Sequence, residues 1–337
     1  ARPEMMARLH AQRMQTARDY LFLKSEANLL SANLLEPAQV PHAFFKGTAY
    51  ADEFYQEPTL RKSRDIDVLI PRKNLASVVE RALSLGYRLY DEHAAMTTVE
   101  RAFYLTIADE ISLVSPHGAH IEVHTQLDKS GVIFDTSVVM SQTQACEGSD
   151  FRRKLPDWLH LIYICLHHTR HRWSHMHWLT DLDAAMSSPE YDMARVKAEA
   201  IRLGVWQCVE PCLALRDVSG QPEAIAAILE GTSDAASEVQ DLVKASSTNF
   251  GRKFGHLSGG SGVLMISDFF FTWQMSVSFR IRYCKWLLRR ASTPRLEDYR
   301  SSPLGQRIPV VLLVVHVARA LRWRLRRLVG KPKPTPG

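Results

Sequence analysis

The sequence predicts an α/β domain followed by a mainly helical part. Two short segments, residues 65–70 and 119–124, alternate acidic or polar residues with aliphatic ones, which is typical of β-strands. Between them, residues 74–85 have the spacing of an amphipathic helix, which Gly86 ends. From Pro156 the apolar spacing becomes helical. This change of periodicity separates the α/β half from the helical half.

Each further element of the α/β half follows from a local pattern. Residues 4–35 space their apolar side chains as a helix does and contain no glycine or proline. Residues 103–107 and 111–115 are rich in aromatic and β-branched residues, which favours strands. The predicted elements are a helix over 4–35, strands over 44–45 and 65–70, helices over 48–54 and 74–85, and strands over 87–90, 103–107, 111–115 and 119–124.

The second half is predicted to be helical, with two interruptions. A stripe from Trp158 to Leu166 begins it, and further helices are expected over 180–186, 193–203, 205–215 and 308–327. Residues 241–247 and the Gly-Ser run 255–262 are predicted as breaks or loops. The chain then divides into an N-terminal helical segment that packs on the sheet domain, the sheet domain, a helical domain and a basic helical extension, over 1–40, 41–150, 151–250 and 251–337.

Three carboxylates stand out in the two acidic segments. Asp65 and Asp67 alternate along one strand and should project to the same side, and Glu122 lies on a later strand. Carboxylates held together repel one another unless they share a cation, and oxygen-rich sites suit Mg²⁺ or Mn²⁺. This pattern favours phosphoryl or nucleotidyl transfer. The alternative is a solvated strand end at which Asp67 caps a turn.

The residues around these acids resemble a known family. Phe44-Phe45-Lys46-Gly47-Thr48, then Arg61, then Arg64-Asp65-Ile66-Asp67 are similar to the opening of the uncharacterised nucleotidyltransferase family, within the DNA polymerase β-like superfamily. A second signature follows in the expected order. His167-His168-Thr169-Arg170-His171-Arg172-Trp173, then Trp178-Leu179-Thr180-Asp181, resemble its His-x-x-x-His-x-Trp and Trp-Leu-x-Asp motifs. The resemblance covers residues 40–190.

The resemblance implies a small mixed-sheet palm flanked by helices and a Mg²⁺- or Mn²⁺-dependent transfer of NMP from an NTP, such as ATP, to an unidentified acceptor. The implied catalytic and metal-binding residues are Asp65, Asp67 and Glu122. Nucleotide-binding roles fall on Lys46, Gly47, Thr48, Arg61 and Arg64, and supporting roles on His124, His167, His171 and Asp181. Gly47 also suits a phosphate physically, because a glycine before a helix N-terminus leaves room for an anion. Lys46-Gly47 stands where the wider superfamily usually has Gly-Ser.

Other interpretations remain open at this stage. The chain is a noncatalytic binding or scaffolding protein if the palm is degenerate. His167, His171 and His175 recur every four residues, so on one helix they would share a face and offer a zinc site for metal-dependent hydrolysis. Lys46, Arg61 and Arg64 would be surface or snorkelling cations under a structural interpretation.

If the carboxylates bind the metal, Asp65→Asn and Asp67→Asn are expected to abolish transfer and to leave the fold intact.

Charge and cysteine content bear on partners and compartment. The formal net charge is +6, and the surplus collects in the C-terminal part, where Arg319, Arg322, Arg324, Arg326 and Arg327 follow an apolar helix. Such a helix suits peripheral contact with an anionic membrane better than with nucleic acid, or it packs on the protein itself. Five scattered cysteines and an N-terminus with no secretory signal favour a reduced, cytoplasmic protein, and the basic helix adds peripheral membrane association as an option.

Overall fold

A mixed β-sheet with helices on both faces organises the first half of the chain. The computed structural model describes residues 3–90, 95–128, 130–187, 192–252 and 276–328. The predicted Gly-Ser loop at 255–262 lies outside the described residues. The strands are β1 His42–Phe45, β2 Ile66–Leu69, β3 Arg88–Leu89, β4 Glu110–Val114, β5 His120–His124, β6 Gln144–Ala145 and β7 Arg152–Lys154.

The strand order is β3-β4-β5-β2-β1-β7-β6. Central strand β2 pairs parallel with β5 and antiparallel with β1, so the sheet is mixed, as the sequence predicted. The register places Asp67 beside Glu122 and Leu69 beside His124 across the parallel pair. Two acidic positions that are far apart in sequence therefore become neighbours at the centre of the sheet.

The described helices are α1 Pro3–Leu30, α2 Gly47–Phe54, α3 Leu75–Ser84, α4 Thr98–Ile107, α5 Thr136–Ser141, α6 Asp157–Arg170, α7 His177–Met186, α8 Met193–Leu203, α9 Trp206–Ser219, α10 Pro222–Glu230, α11 Ser237–Asn249, α12 Val277–Ser292, α13 Leu296–Ser301, α14 Pro303–Arg307 and α15 Pro309–Leu328. A π-helical turn over Ser31–Leu35 extends α1, so the predicted element over 4–35 is confirmed with a change of pitch at its end.

Two hydrophobic layers enclose the sheet. On one face, Phe44, Val68 and Val123 pack with residues of α1 and α3. On the other face, Phe45 and Leu69 pack with α2 and α6, and this layer continues through α8 and α9. Alternation along β2 puts Asp67 on the α6 side, next to Leu69, so the polar site opens on that face.

Two predicted elements were wrong. Residues 103–107 are the end of helix α4 because Thr97 and Glu100 form a capping box that starts a helix upstream of the aromatic residues. Residues 241–247 lie within α11, where Val239, Leu242 and Val243 are buried at helical spacing. In both places a local composition typical of strands or loops is outweighed by capping or by burial of a helical stripe.

The C-terminal segment folds back onto the α/β half. Tyr299 of α13 stacks on Phe103 of α4 with ring centroids 4.3 Å apart, and Arg300 donates to Glu100 at 2.8 Å. Leu296 also packs against the hydrophobic layer that contains α3 and α4. These contacts bring residues 290–300 beside the strands that carry the acidic residues. Among the described helices, none combines the length and apolar content that a membrane crossing requires.

Candidate active site

The three carboxylates converge where β2 lies beside β5. Asp67 and Glu122 are direct partners across the parallel strands, and Asp65 precedes β2 on the same side by alternation. Two overlapping sets of ligand atoms each lie within 4.8 Å of one another: Asp65 with His120 and Glu122, and Asp67 with Glu122 and His124. The carboxylates therefore come together as the strand pattern predicted.

Asp67 is buried against two basic side chains. Lys46 forms an ion pair with its Oδ1 atom, and His124 Nε2 lies 2.9 Å from the same oxygen. Burial alone would raise the pKa of Asp67, but Lys46 and His124 outweigh that cost and hold it at about 2. Asp67 is therefore ionised at every pH at which the protein is expected to work.

His124 connects the carboxylates of neighbouring strands. Its Nε2 atom also lies 3.3 Å from Glu122, and its Nδ1 atom lies 3.4 Å from Glu110 on β4. Burial opposes charge on the imidazole, yet the hydrogen bonds to Asp67 and Glu122 raise the pKa of His124. A protonated His124 would donate from both ring nitrogens and hold the carboxylates in place.

Asp65 has the opposite electrostatic setting. It is partly buried, and no lysine or arginine in the described part of the chain forms an ion pair with it. Burial, followed by repulsion from Asp67 and Glu122, raises the pKa of Asp65 to about 6. A divalent cation would relieve this repulsion, and the carboxylate oxygens beside it are the ligands that Mg²⁺ and Mn²⁺ prefer. The residues present therefore fit such an ion.

A strained glycine turn lies beside the carboxylates. Gly47 has φ +44°, and a Cβ there would approach the Asp65 carbonyl oxygen to 3.3 Å. Lys46, which precedes α2, has φ 59° and ψ −160°, a region populated almost only by glycine, and this costs about 1–3 kcal/mol. The first amides of α2 lack helical acceptors and can bind an anion. Thr48 is buried and does not line the cleft.

Arg61 links the turn at Gly47 to helix α7. Its Nε and Nη2 atoms donate to the two carboxylate oxygens of Asp181 at 2.8 and 2.9 Å, and Nη1 donates to the Gly47 carbonyl at 3.0 Å and to Ser63 Oγ at 3.1 Å. Asp181 is fully buried on α7, and Arg61 lowers its pKa despite the burial. The Asp181 motif thus orients a basic neighbour, and that neighbour ties α7 to the turn at Gly47.

The histidines of the second signature line the cleft, but they do not share one helix face. Helix α6 ends at Arg170, and Arg172 and Trp173 have positive φ angles of 55° and 47°, so the chain turns before His175. His167 accepts from Arg170 at 3.2 Å, and burial, with the charge of His171, lowers its pKa. The ligand groups found among the described residues do not include these histidines, so the helical zinc site is not formed there.

The cleft above the carboxylates encloses about 1040 Å³. That volume is at the upper end of the roughly 300–1,000 Å³ typical of small-molecule sites. Its walls contain the turn at Gly47, the carboxylates, Arg64, His167 and His171. A further wall comes from residues 290–300, including Arg290 and Arg295. Sequence reasoning missed this wall because the two signatures end before it, and only the excess of basic residues near the C-terminus hinted at a role.

Comparison with known protein families gives one match. The profile of the family described as uncharacterised nucleotidyltransferase matches residues 1–217 of the 337 in the chain. The match contains both signatures and the three carboxylates, and it ends before α12. No curated protein matches the chain. With both signatures in order and most of the chain matched, the protein belongs to the uncharacterised nucleotidyltransferase family.

Proposed function

We propose that this protein is a Mg²⁺-dependent nucleotidyltransferase that transfers an NMP group from an NTP to an acceptor. The observation that carries the proposal is the pairing of Asp67 with Glu122 across β2 and β5, with Asp65 alongside and the glycine turn next to them. A carboxylate cluster beside a helix N-terminus matches the needs of a nucleotide with its metal ion. The large cleft leaves room for two substrates.

The residues divide the work by position. The amides after Lys46 bind the phosphates, with Arg64 at the rim of the cleft. Asp65, Asp67 and Glu122 form the acidic cluster that would hold the metal, and a bound metal would neutralise charge on the phosphates. The oxygen of the acceptor hydroxyl attacks the α-phosphorus, pyrophosphate leaves, and the hydroxyl proton passes to Glu122. Positioning and charge neutralisation supply most of the rate enhancement.

Nucleotidyl transfer is tested by a labelling experiment that does not require the acceptor to be known. The purified chain is incubated with each α-³²P-labelled NTP, Mg²⁺ and a cell extract, and labelled products are identified. We expect one NTP to label one class of acceptor, with the label lost when EDTA is added. A γ-labelled NTP is the control, because nucleotidyl transfer releases that phosphate in pyrophosphate. Label from the γ-position alone would indicate a kinase, and no label with any NTP would favour a noncatalytic palm.

We also infer that α15 contacts an anionic membrane surface. Leu312 and His316 face the protein and are buried, whereas Val310 and Val314 are 65% and 64% exposed. Arg322 follows on the same helix and is exposed. An apolar stripe followed by basic residues is the pattern of an interfacial helix. The observation favours this inference over complete packing of the stripe on the helical domain.

Vesicle co-sedimentation tests the membrane contact. The full chain should bind vesicles that contain phosphatidylserine. Salt at 0.5 M should weaken the binding, because the Debye length falls from about 10 Å at 0.1 M to about 3 Å at 1 M ionic strength. Val310→Asp with Val314→Asp should lower the bound fraction by about tenfold, because two apolar side chains that would enter the membrane are replaced by charged ones. Val277→Asp is the matched control, since Val277 is 69% exposed on α12. Equal loss in the control, or no loss in the double variant, contradicts the inference.

A further inference from the structure

Lys46 is the least expected residue of the site. Its backbone has φ 59° and ψ −160°, which a glycine adopts freely and a lysine does not. Strain of this kind persists only where the surrounding structure fixes the residue, and it is concentrated at functional sites. The side chain is fixed by its ion pair with Asp67 and lies over the rings of Phe45 and Tyr163, 5.2 and 6.0 Å from the two ring centroids. The strain thus serves to place an ammonium group on Asp67.

The position of this ammonium divides the two possible metal sites. Oδ1 of Asp67 is already paired with the Lys46 ammonium and lies within hydrogen-bond distance of His124. The ligand set formed by Asp67, Glu122 and His124 is therefore next to a cation of the chain itself, Lys46. The other set, Asp65 with His120 and Glu122, has no lysine or arginine ion pair in the described part of the chain. The negative charge of Asp67 is therefore balanced by Lys46, whereas the set that contains Asp65 has no such lysine or arginine among the described residues.

We propose that the Lys46 ammonium takes the place of a second divalent cation, so that the site holds a single metal ion, between Asp65 and Glu122. The charges agree with this stoichiometry. Four carboxylates, Asp65, Asp67, Glu122 and Glu110, face two cations, Lys46 and a protonated His124, which leaves two negative charges for one divalent ion to balance. The inference rests on the proposed function, because it concerns the metal that such a transfer requires. It also gives a reason for a lysine at a position whose backbone angles favour glycine.

Two other roles for Lys46 lead to different metal counts. If Mn²⁺ displaces Lys46 from Asp67 and so frees the ammonium for a phosphate, wild type takes two ions. If Lys46 only stabilises the fold, its removal changes stability and leaves the number of metal ions unchanged. Counting bound ions therefore separates the three roles without an assay of transfer.

The experiment is a Mn²⁺ titration of the full chain, with free Mn²⁺ followed by electron paramagnetic resonance. Wild type is expected to bind one ion per chain at high affinity. Lys46→Gly should bind two, because Asp67 becomes available, and glycine adopts the backbone angles of Lys46 without strain, which offsets part of the stability lost with the ion pair. Lys46→Arg keeps the charge and should bind one. Asp65→Asn should weaken the wild-type site by at least tenfold and serves as the control for adventitious binding.

The outcomes are distinguishable. Two high-affinity ions in wild type, or one ion in Lys46→Gly with folding verified by circular dichroism, would overturn the role of Lys46 and leave the proposed transferase standing. No high-affinity ion in wild type would overturn the metal site itself, and with it both the proposed function and this inference. Thermal unfolding of each variant in EDTA shows whether the fold is intact before metal is added.

Discussion

Replacing Asp65 by asparagine should lower kcat for nucleotidyl transfer by about 10³-fold or more, because a metal ligand is worth several kcal/mol of transition-state stabilisation. The fold should survive, since Asp65 is only partly buried and forms no ion pair with a described lysine or arginine. Asparagine has the same shape and removes the charge that repels Asp67 and Glu122. The measurement compares transfer of the α-phosphate label with the urea midpoint of wild type and variant. Full activity in a folded variant would contradict the metal role.

The pH dependence of metal binding is a second readout of the same substitution. The pKa of Asp65 is raised to about 6, so this carboxyl is protonated below that pH and must lose its proton to bind a metal. In wild type, Mn²⁺ affinity should rise about tenfold per pH unit up to pH about 6 and then level off. Asp65→Asn should lack this step. A raised carboxyl pKa also means that the metal-free fold loses stability as pH rises from about 4 to 6.

Asp67 needs a different expectation from the one its sequence suggested. Its carboxylate pairs with Lys46 in a buried setting, so Asp67→Asn leaves an ammonium group without its counter-charge. Breaking one half of a buried ion pair costs about 3–5 kcal/mol. Loss of activity in Asp67→Asn therefore reports both catalysis and folding. Asp65 is the cleaner position at which to test the metal site.

Removing Asp181 should lower stability by a large amount. Asp181→Asn leaves Arg61 buried without its carboxylate partner, and the free energy of unfolding should fall by about 3–5 kcal/mol. Arg61→Lys should lose stability as well, because an ammonium cannot make the two parallel bonds that the guanidinium makes. Urea unfolding measures both variants. The Gly47 turn should also loosen, since Arg61 holds its carbonyl, and the KM for NTP should rise.

An exposed ion pair whose acid, Asp183, lies on the same helix as Asp181 provides the control. Arg216 bonds to Asp183 at 2.7 Å, but their side chains are 34% and 61% exposed. Asp183→Asn should change the free energy of unfolding by less than about 1 kcal/mol, as is usual for exposed ion pairs. If Asp181→Asn and Asp183→Asn lose equal stability, burial of the Arg61 pair is not what stabilises the turn.

Much of the site was accessible from local patterns. A two-residue period makes Asp65 and Asp67 project together, and the same rule leaves Glu122 on the side opposite Ile121 and Val123. The side chains of Phe103 to Ile107 misled strand prediction, because aromatic and β-branched residues occur in helices when a cap upstream starts one. His175 was placed on a helix that ends at Arg170, since a periodic pattern does not reveal where positive φ angles turn the chain.

The sequence by itself determined the chemistry of the site: its carboxylates, its glycine turn and its second signature are local features whose spacing follows from strand and helix geometry. Only the tertiary structure decided how those groups are paired. Asp67 and Glu122 become neighbours through a parallel register, and Arg61 meets Asp181 across 120 positions of sequence. The C-terminal wall of the cleft also depends on long-range packing. Such contacts depend on which surfaces are buried together, and no local pattern specifies the partner of a buried charge.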